Sequence, residues 1–276
     1  MDLIEATADR AAQGLASVLA RRGMLQIADG QCFADFEYRI RSQGGEDGIL
    51  QYLFDCVGTV DRTFVEFGIQ SGRECNAAHL SLSCGWRGLF IEGDHRLAEW
   101  ARDYYDRMLG PAADRVRIAN RFITTDNINS ILAENGVSGQ IDLLSIDIDG
   151  NDYWIWEAIS AVSARVVVVE YNAVFGPTRS VTIPYSPSFR RSGMGRGMYY
   201  GASLGALCKL GARKGYSLVG CGSNGINAFF VNRSLVTRRL SEAPSEKAFR
   251  PHSGWIHSKT VEEQFDLVKE LPLVEV

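Results

Sequence analysis

The sequence has no C-x-x-C pair, no apolar run long enough to cross a bilayer, no internal repeat and no surplus of basic charge. Each absence removes a class of protein. The six cysteines, Cys32, Cys56, Cys75, Cys84, Cys208 and Cys221, are scattered through mixed or apolar surroundings, which fits reduced, partly buried thiols rather than a zinc site or a disulfide framework. The longest apolar stretches, such as VVVVE at 166–170, fall far short of the ~20 residues that a spanning helix needs. The N-terminus carries acids where a signal peptide would carry basic residues. A cytoplasmic protein without membrane association is expected. A formal net charge of -4 argues against nucleic acid as a partner, since such binding is driven mainly by phosphate neutralisation.

What is present has the composition of a globular protein: 46% hydrophobic and 22% charged over 276 residues, enough for one large domain with appendages. Ile4, Ala8, Ala11, Leu15 and Val18 recur at helical spacing until Gly23. That predicts an amphipathic helix over 2–22, inside an N-terminal segment (1–40) that caps the main domain, covers a substrate entrance or joins subunits into a homo-oligomer.

From residue 62 short apolar runs alternate with longer amphipathic segments. TFVEFG (63–68), RGLFIEG (87–93), RVRIAN (115–120), IDLLSID (141–147) and RVVVVEY (165–171) read as strands, and HLSLSC, RLAEWARDYYDRML, NINSILAENG and WIWEAI between them as helices. This alternation predicts an α/β fold, a parallel sheet with helices on both faces. After a further helix, YSLVGCG and INAFFVN flank SNG as an antiparallel hairpin that ends the sheet, and with it a core domain over 41–232. Residues 172–203, rich in Gly, Ser, Arg, Pro and Tyr, form a lid or a solvated loop. The extension 233–276 reads as irregular surface chain up to 258, then one helix announced by the capping-box pair Thr260 and Glu263.

Ligands of an open parallel sheet bind at the carboxyl ends of its strands. The first such end is VEFGIQSG, where Gly68 and Gly72 permit a tight turn, Ser71 offers a hydroxyl, and Glu66 stands where a phosphate would be repelled and a cationic group welcomed. A plain tight turn is the competing reading. The second is FIEGD, where Glu92, with Asp94 behind it, is placed either to receive both hydroxyls of a ribose or to cap the helix beginning near His95. The fourth is LLSIDIDGNDYW, whose Asp147, Asp149 and Asp152 repel one another unless a cation, a donor or a polar ligand lies between them.

VEFGIQSG, FIEGD, LLSIDIDGND and VVVVEYN, with SQGGEDGIL upstream, together resemble a class I S-adenosylmethionine-dependent methyltransferase, and most of all the FkbM-type group of natural-product and surface-polysaccharide pathways. The resemblance spans about residues 40–232. It implies a seven-stranded, Rossmann-like sheet of order 3-2-1-4-5-7-6, and the terminal hairpin fits that order independently. It also implies that Glu66, Gly68, Ser71 and Gly72 surround the methionine part of S-adenosylmethionine, that Glu92 binds its ribose, and that Asn120 to Phe122 approach its adenine. Gln43 lies near a segment that closes over the cofactor, and Asp147 is placed to touch its amino group.

Asp147, Glu170 and Asn172 sit at neighbouring strand ends, and two carboxylates with an amide suit magnesium or another hard divalent cation, unless Asn172 only fixes a turn before the loop. The arrangement is similar to metal-dependent O-methyltransferases, except that Tyr171 separates an acid and amide that are adjacent there. Asp147 or Asp149 could alternatively serve as base; His79, His95, His252 and His257 have no neighbouring motif that singles one out. In the lid, Arg179, Arg190, Arg191 and Arg196, with Tyr185, Tyr199 and Tyr200, suit an anionic small-molecule acceptor. The expected activity is O-methylation of a sugar or natural-product hydroxyl, with or without a metal. N-methylation, an NAD-dependent oxidoreductase and a silent cofactor-binding relative are the alternatives.

Overall fold

The computed structural model describes residues 33–191, 193–237 and 239–276. The predicted helix over 2–22 and its role in oligomerisation lie outside the described residues. Five parallel strands, β1 (Thr63–Phe67), β2 (Arg87–Glu92), β3 (Val116–Asn120), β4 (Gly139–Ile146) and β5 (Val162–Glu170), are joined by an antiparallel hairpin, β6 (Tyr216–Cys221) and β7 (Asn227–Asn232). Their spatial order is β3-β2-β1-β4-β5-β7-β6, the order of the class I methyltransferase sheet.

Alternation along the strands explains why both faces are covered. Phe64, Phe90, Leu143, Val166, Val168 and Phe229 face α1 (Glu46–Val57), α2 (Ala78–Ser83) and α3 (His95–Leu109), while Val65, Ile91, Leu144, Val167, Val169 and Phe230 face α4 (Ile128–Glu134), α5 (Asp152–Ala158) and α6 (Leu204–Arg213). Successive side chains point to opposite sides, so a strand apolar at every position needs a helical layer on each. The two layers leave only the strand ends open, and β1 and β4 end side by side there, with Phe67 beside Ile146.

A third apolar cluster lies beyond the sheet. Val174, Phe175, Val181, Ile183, Met198 and Tyr199 from the 172–203 loop pack on Val268, Phe265, Leu271 and Leu273. A two-residue strand at Val181–Thr182 pairs with Val274–Glu275, and Arg179 reaches Glu262 at 2.9 Å. The loop is thus held by the extension. The extension itself departs from the expected irregular surface chain: residues 233–258 contain short helices at Ser245–Ala248 and Ser253–Ile256, and bury Leu240, Ala243 and Ala248. The helix at Val261–Phe265 has both arms of its capping box, Thr260 and Glu263. Cys56, Cys75, Cys84, Cys208 and Cys221 are free thiols, and Cys32 is outside the described residues. Among the described residues no helix is long and apolar enough to cross a membrane.

Candidate functional site

A cavity of about 930 Å³ opens over the carboxyl ends of β1, β2, β4 and β5 and the start of β7. Its size lies in the ~300–1,000 Å³ range typical of small-molecule sites. Its β1 wall is a turn that only glycine can make at residue 68. Gly68 has φ +73°, and a Cβ there would stand 1.7 Å from the carbonyl oxygen of Asp147. Glu66, just before it, is buried beside the cavity. Its carboxylate accepts from the Asn76 and Ala77 amides at 2.8 Å and from the Ser145 hydroxyl at 3.0 Å. Burial pushes its pKa up while these bonds pull it down, so Glu66 ties the turn to the start of α2 as well as lining the site.

Ser71 and Gly72 lie outside the cavity wall. The carbonyl of Gly72 accepts from the Tyr105 hydroxyl at 3.0 Å, and a Cβ on it would strike the Tyr105 ring at 2.9 Å. Gly72 therefore admits α3, not a ligand. Glu92 does line the cavity. One carboxylate oxygen accepts from the Gln70 amide at 2.7 Å and the other from the Asp94 amide at 2.8 Å, which leaves lone pairs on both. The helix cap is Asp94, whose carboxylate accepts from Arg96 and Leu97, while its residue still borders the cavity. Phe122 presents a ring 41% exposed on the same wall, Arg121 flanks it, and Gln43 closes the opposite side. Asn120 instead braces the β2 turn through the carbonyl of Glu92 at 2.9 Å.

The acids of the β4 loop divide into distinct roles. Asp152 is a turn clamp, accepting from the Ile148 and Gly150 amides, and burial raises its pKa to about 6. Asp149 adopts φ +56° and pairs with Arg191 at 2.6 Å. Asp147, half-buried, and Glu170, buried, stand at the neighbouring ends of β4 and β5 and line the cavity together. Burial first, and then repulsion from Asp152 and Asp149 on Asp147 and from Asp147 and Asp152 on Glu170, hold both carboxyls well above their ordinary range.

Asn172 does not join this pair. β5 ends at Glu170, so the alternation that would have put Asn172 on the same face stops. Its amide nitrogen donates to the carbonyls of Met198 and Tyr200, and its oxygen accepts from the Val174 amide. The expected metal trio is therefore reduced to two carboxylates. Among the described residues no group of three or more His, Cys, Asp and Glu is placed to hold a metal ion.

Of the lid residues, Arg190 and Arg191 line the cavity, whereas Arg196, Tyr199 and Tyr200 do not. Arg190 lies 5.0 Å over the Phe122 ring, and Arg191 lies 3.8 Å over Tyr200. Arg196 is exposed with φ +58°, and Tyr199 is buried with its hydroxyl donating to the carbonyl of Pro272. His79 is buried against Cys84, and His95 pairs with Glu99 at the surface.

Several wall residues escaped the sequence reading. Glu46 is buried with one oxygen accepting from the side chains of Asn224 and Asn227, and the β5–β7 register sets Asn227 beside Glu170. His252, from the extension, stacks on Trp255 at 3.9 Å and faces the cavity, where burial and the nearby Arg191 lower its pKa. The SQGGEDGIL segment was the one available signal for Glu46.

No family model matches this sequence, and no curated protein matches it. Solved structures similar to it include an O-methyltransferase from Bacillus cereus in complex with SAH, 20% identical over 66% of this chain and 77% of that one, with TM-score 0.41. The N-terminal domain of EvdMO1 with SAH bound is 11% identical over 70% of this chain and 82% of that one, with TM-score 0.46. Magnesium protoporphyrin IX methyltransferase from Synechocystis PCC 6803 with bound SAM is 10% identical over 68% and 77%, with TM-score 0.44.

Proposed function

We propose that this protein transfers a methyl group from S-adenosylmethionine to an oxygen of a small molecule. The observation that carries the reading is the pairing, in one cavity, of an acid at the end of β2 with unused lone pairs and two carboxyls, both raised above their ordinary range, at the ends of β4 and β5. The residues fit the cofactor: the Gly68 turn lets a ligand approach the backbone, Glu92 can accept two vicinal hydroxyls, and Phe122 offers a face to a base. Bound there, S-adenosylmethionine supplies an electrophilic methyl group.

The chain's own part is alignment and proton removal. A hydroxyl seated at the pair donates its proton to the ionised carboxylate as its oxygen forms the new bond to carbon, and S-adenosylhomocysteine is left. Oxygen is favoured over nitrogen as acceptor because a hydroxyl needs its proton removed while a neutral amine already offers a lone pair, and a carboxylate raised above its ordinary range is a stronger base. A divalent cation fits incompletely, since the Asn172 oxygen is committed to Val174, and no step is derived through one. Calorimetric titration with S-adenosylhomocysteine, with NAD as control, tests the reading. The homocysteine compound is expected to bind and NAD not, and Glu92→Ala is expected to weaken binding about tenfold or more with an unchanged far-UV spectrum. Binding of NAD alone, or of neither, refutes it.

A further inference from the structure

Residues 185–191 of the loop are tied to two walls of the cavity. At one, the Tyr185 hydroxyl accepts from the Thr125 amide at 3.1 Å, in the same loop as Phe122. At the other, the carbonyl of Ser186 accepts from the Asn151 side chain at 2.8 Å, and Arg191 pairs with Asp149 at 2.6 Å. A strap thus runs from the loop after β3 to the loop after β4. Its backbone is held at these points, but the Arg190 side chain is not: it is exposed, has no ion-pair partner among the described residues, and rests 5.0 Å over the Phe122 ring.

That ring is 41% exposed and stands beside Glu92, because the amide of Arg121 donates to the carbonyl of Glu92 at 3.0 Å. An acid able to accept a vicinal diol, next to an open aromatic face, makes a seat for a nucleoside. A flat base between Phe122 and the guanidinium needs ~3.5 Å on each side, about 7 Å in all. From its present 5.0 Å, Arg190 has to lift by only about 2 Å, which its long side chain can do without breaking any tie of the strap.

We propose that Arg190 serves the cofactor and not the acceptor: its guanidinium closes over the base of the bound nucleoside and holds it against Phe122. A guanidinium is planar and weakly hydrated, so it lies flat on a ring and keeps its charge without a carboxylate partner. The same contact could instead be a plug that the base must expel. The two differ in sign, since a clamp adds affinity and a plug subtracts it. A clamp also makes the strap that meets the β4 loop through Arg191 grip the cofactor through the next residue.

This proposal rests on the methyltransferase reading, and the test separates the two. Wild type, Arg190→Ala and Arg190→Lys, all full-length and matched in Tm, are titrated calorimetrically with S-adenosylhomocysteine and with 5′-methylthioadenosine, which keeps the nucleoside and drops the amino-acid tail. Arg190→Ala is expected to weaken both ligands by the same factor, about fivefold or more, and Arg190→Lys, which keeps the charge but not the plane, to recover part of the loss. Unchanged or tighter binding of S-adenosylhomocysteine by Arg190→Ala overturns the clamp, and so does a loss confined to S-adenosylhomocysteine, which would place Arg190 at the amino-acid tail. Failure of wild type to bind S-adenosylhomocysteine refutes the methyltransferase reading, and the clamp with it.

Discussion

Replacing Glu170 by Gln is expected to stabilise the fold while removing activity. Glu170 is buried, Asp147 is half-buried at the neighbouring strand end, and the charge of Arg191 offsets only part of the repulsion on Glu170. Two full charges ~4 Å apart at an effective dielectric of ~20 repel by about 4 kcal/mol. Arg191 and solvent at half-buried Asp147 screen part of this, so relief by a neutral amide is worth about 2 kcal/mol. The Gln amide can also donate to Asp147. For a domain of this size the gain corresponds to about 4–8 °C in Tm.

The sign of the pH dependence follows from linkage. Both carboxyls lie above their ordinary values of 3.8 and 4.5 in the folded state, so the native protein binds more protons than the unfolded chain. Wild-type stability from this source is complete below those values and is lost as pH rises through the folded ones. The Tm advantage of Glu170→Gln should therefore be small at acid pH and grow toward pH 8, when read by differential scanning calorimetry without ligand. Methyl transfer should fall by about 10²–10⁴ if the pair takes the proton. A variant less stable than wild type at pH 8, or one whose Tm gain ignores pH, refutes this account of the pair.

Gly68→Ala should lower stability by about 3 kcal/mol or more, because both the positive φ and the Asp147 carbonyl oppose a methyl there; denaturant unfolding measures it. Activity should persist in excess EDTA, because Asn172 is withheld from the carboxyl pair, and loss of activity restored by magnesium would reinstate a metal. Arg191→Ala should weaken the tie between Asp149 and the 172–203 loop and speed proteolysis within the loop, leaving the Tm of the sheet nearly unchanged.

The sheet order was legible because the evidence for it is local. Period-two apolar runs, the glycine turn after β1 and the SNG hairpin each lie within a few residues of what they specify. The place of Glu92 and Gly68 on the cavity wall was legible for the same reason, since both stand at strand ends. Asn172 misled because its facing depended on whether β5 ran two residues further. Carbonyls of Met198 and Tyr200, about thirty residues away in the chain, decided that it did not. Gly72 misled because a packing glycine and a ligand glycine look alike in sequence, and the Tyr105 ring that distinguishes them comes from α3. His252 lies in a stretch without periodicity, and its place in the cavity wall depends on contacts from far along the chain, with Trp255 stacked on it and Arg191 over that ring.

The apolar cluster shared by the lid and the extension has a consequence for synthesis. The seven-stranded sheet is complete once residue 232 has emerged, and with it the strand-end wall of the cavity. The lid side of the cavity needs Phe265, Val268 and the strand at Val274–Glu275, more than thirty residues later. On a ribosome adding ~5–20 residues per second, the nascent chain would pass through a state in which the sheet and its strand ends are formed before the 172–203 loop is anchored over them.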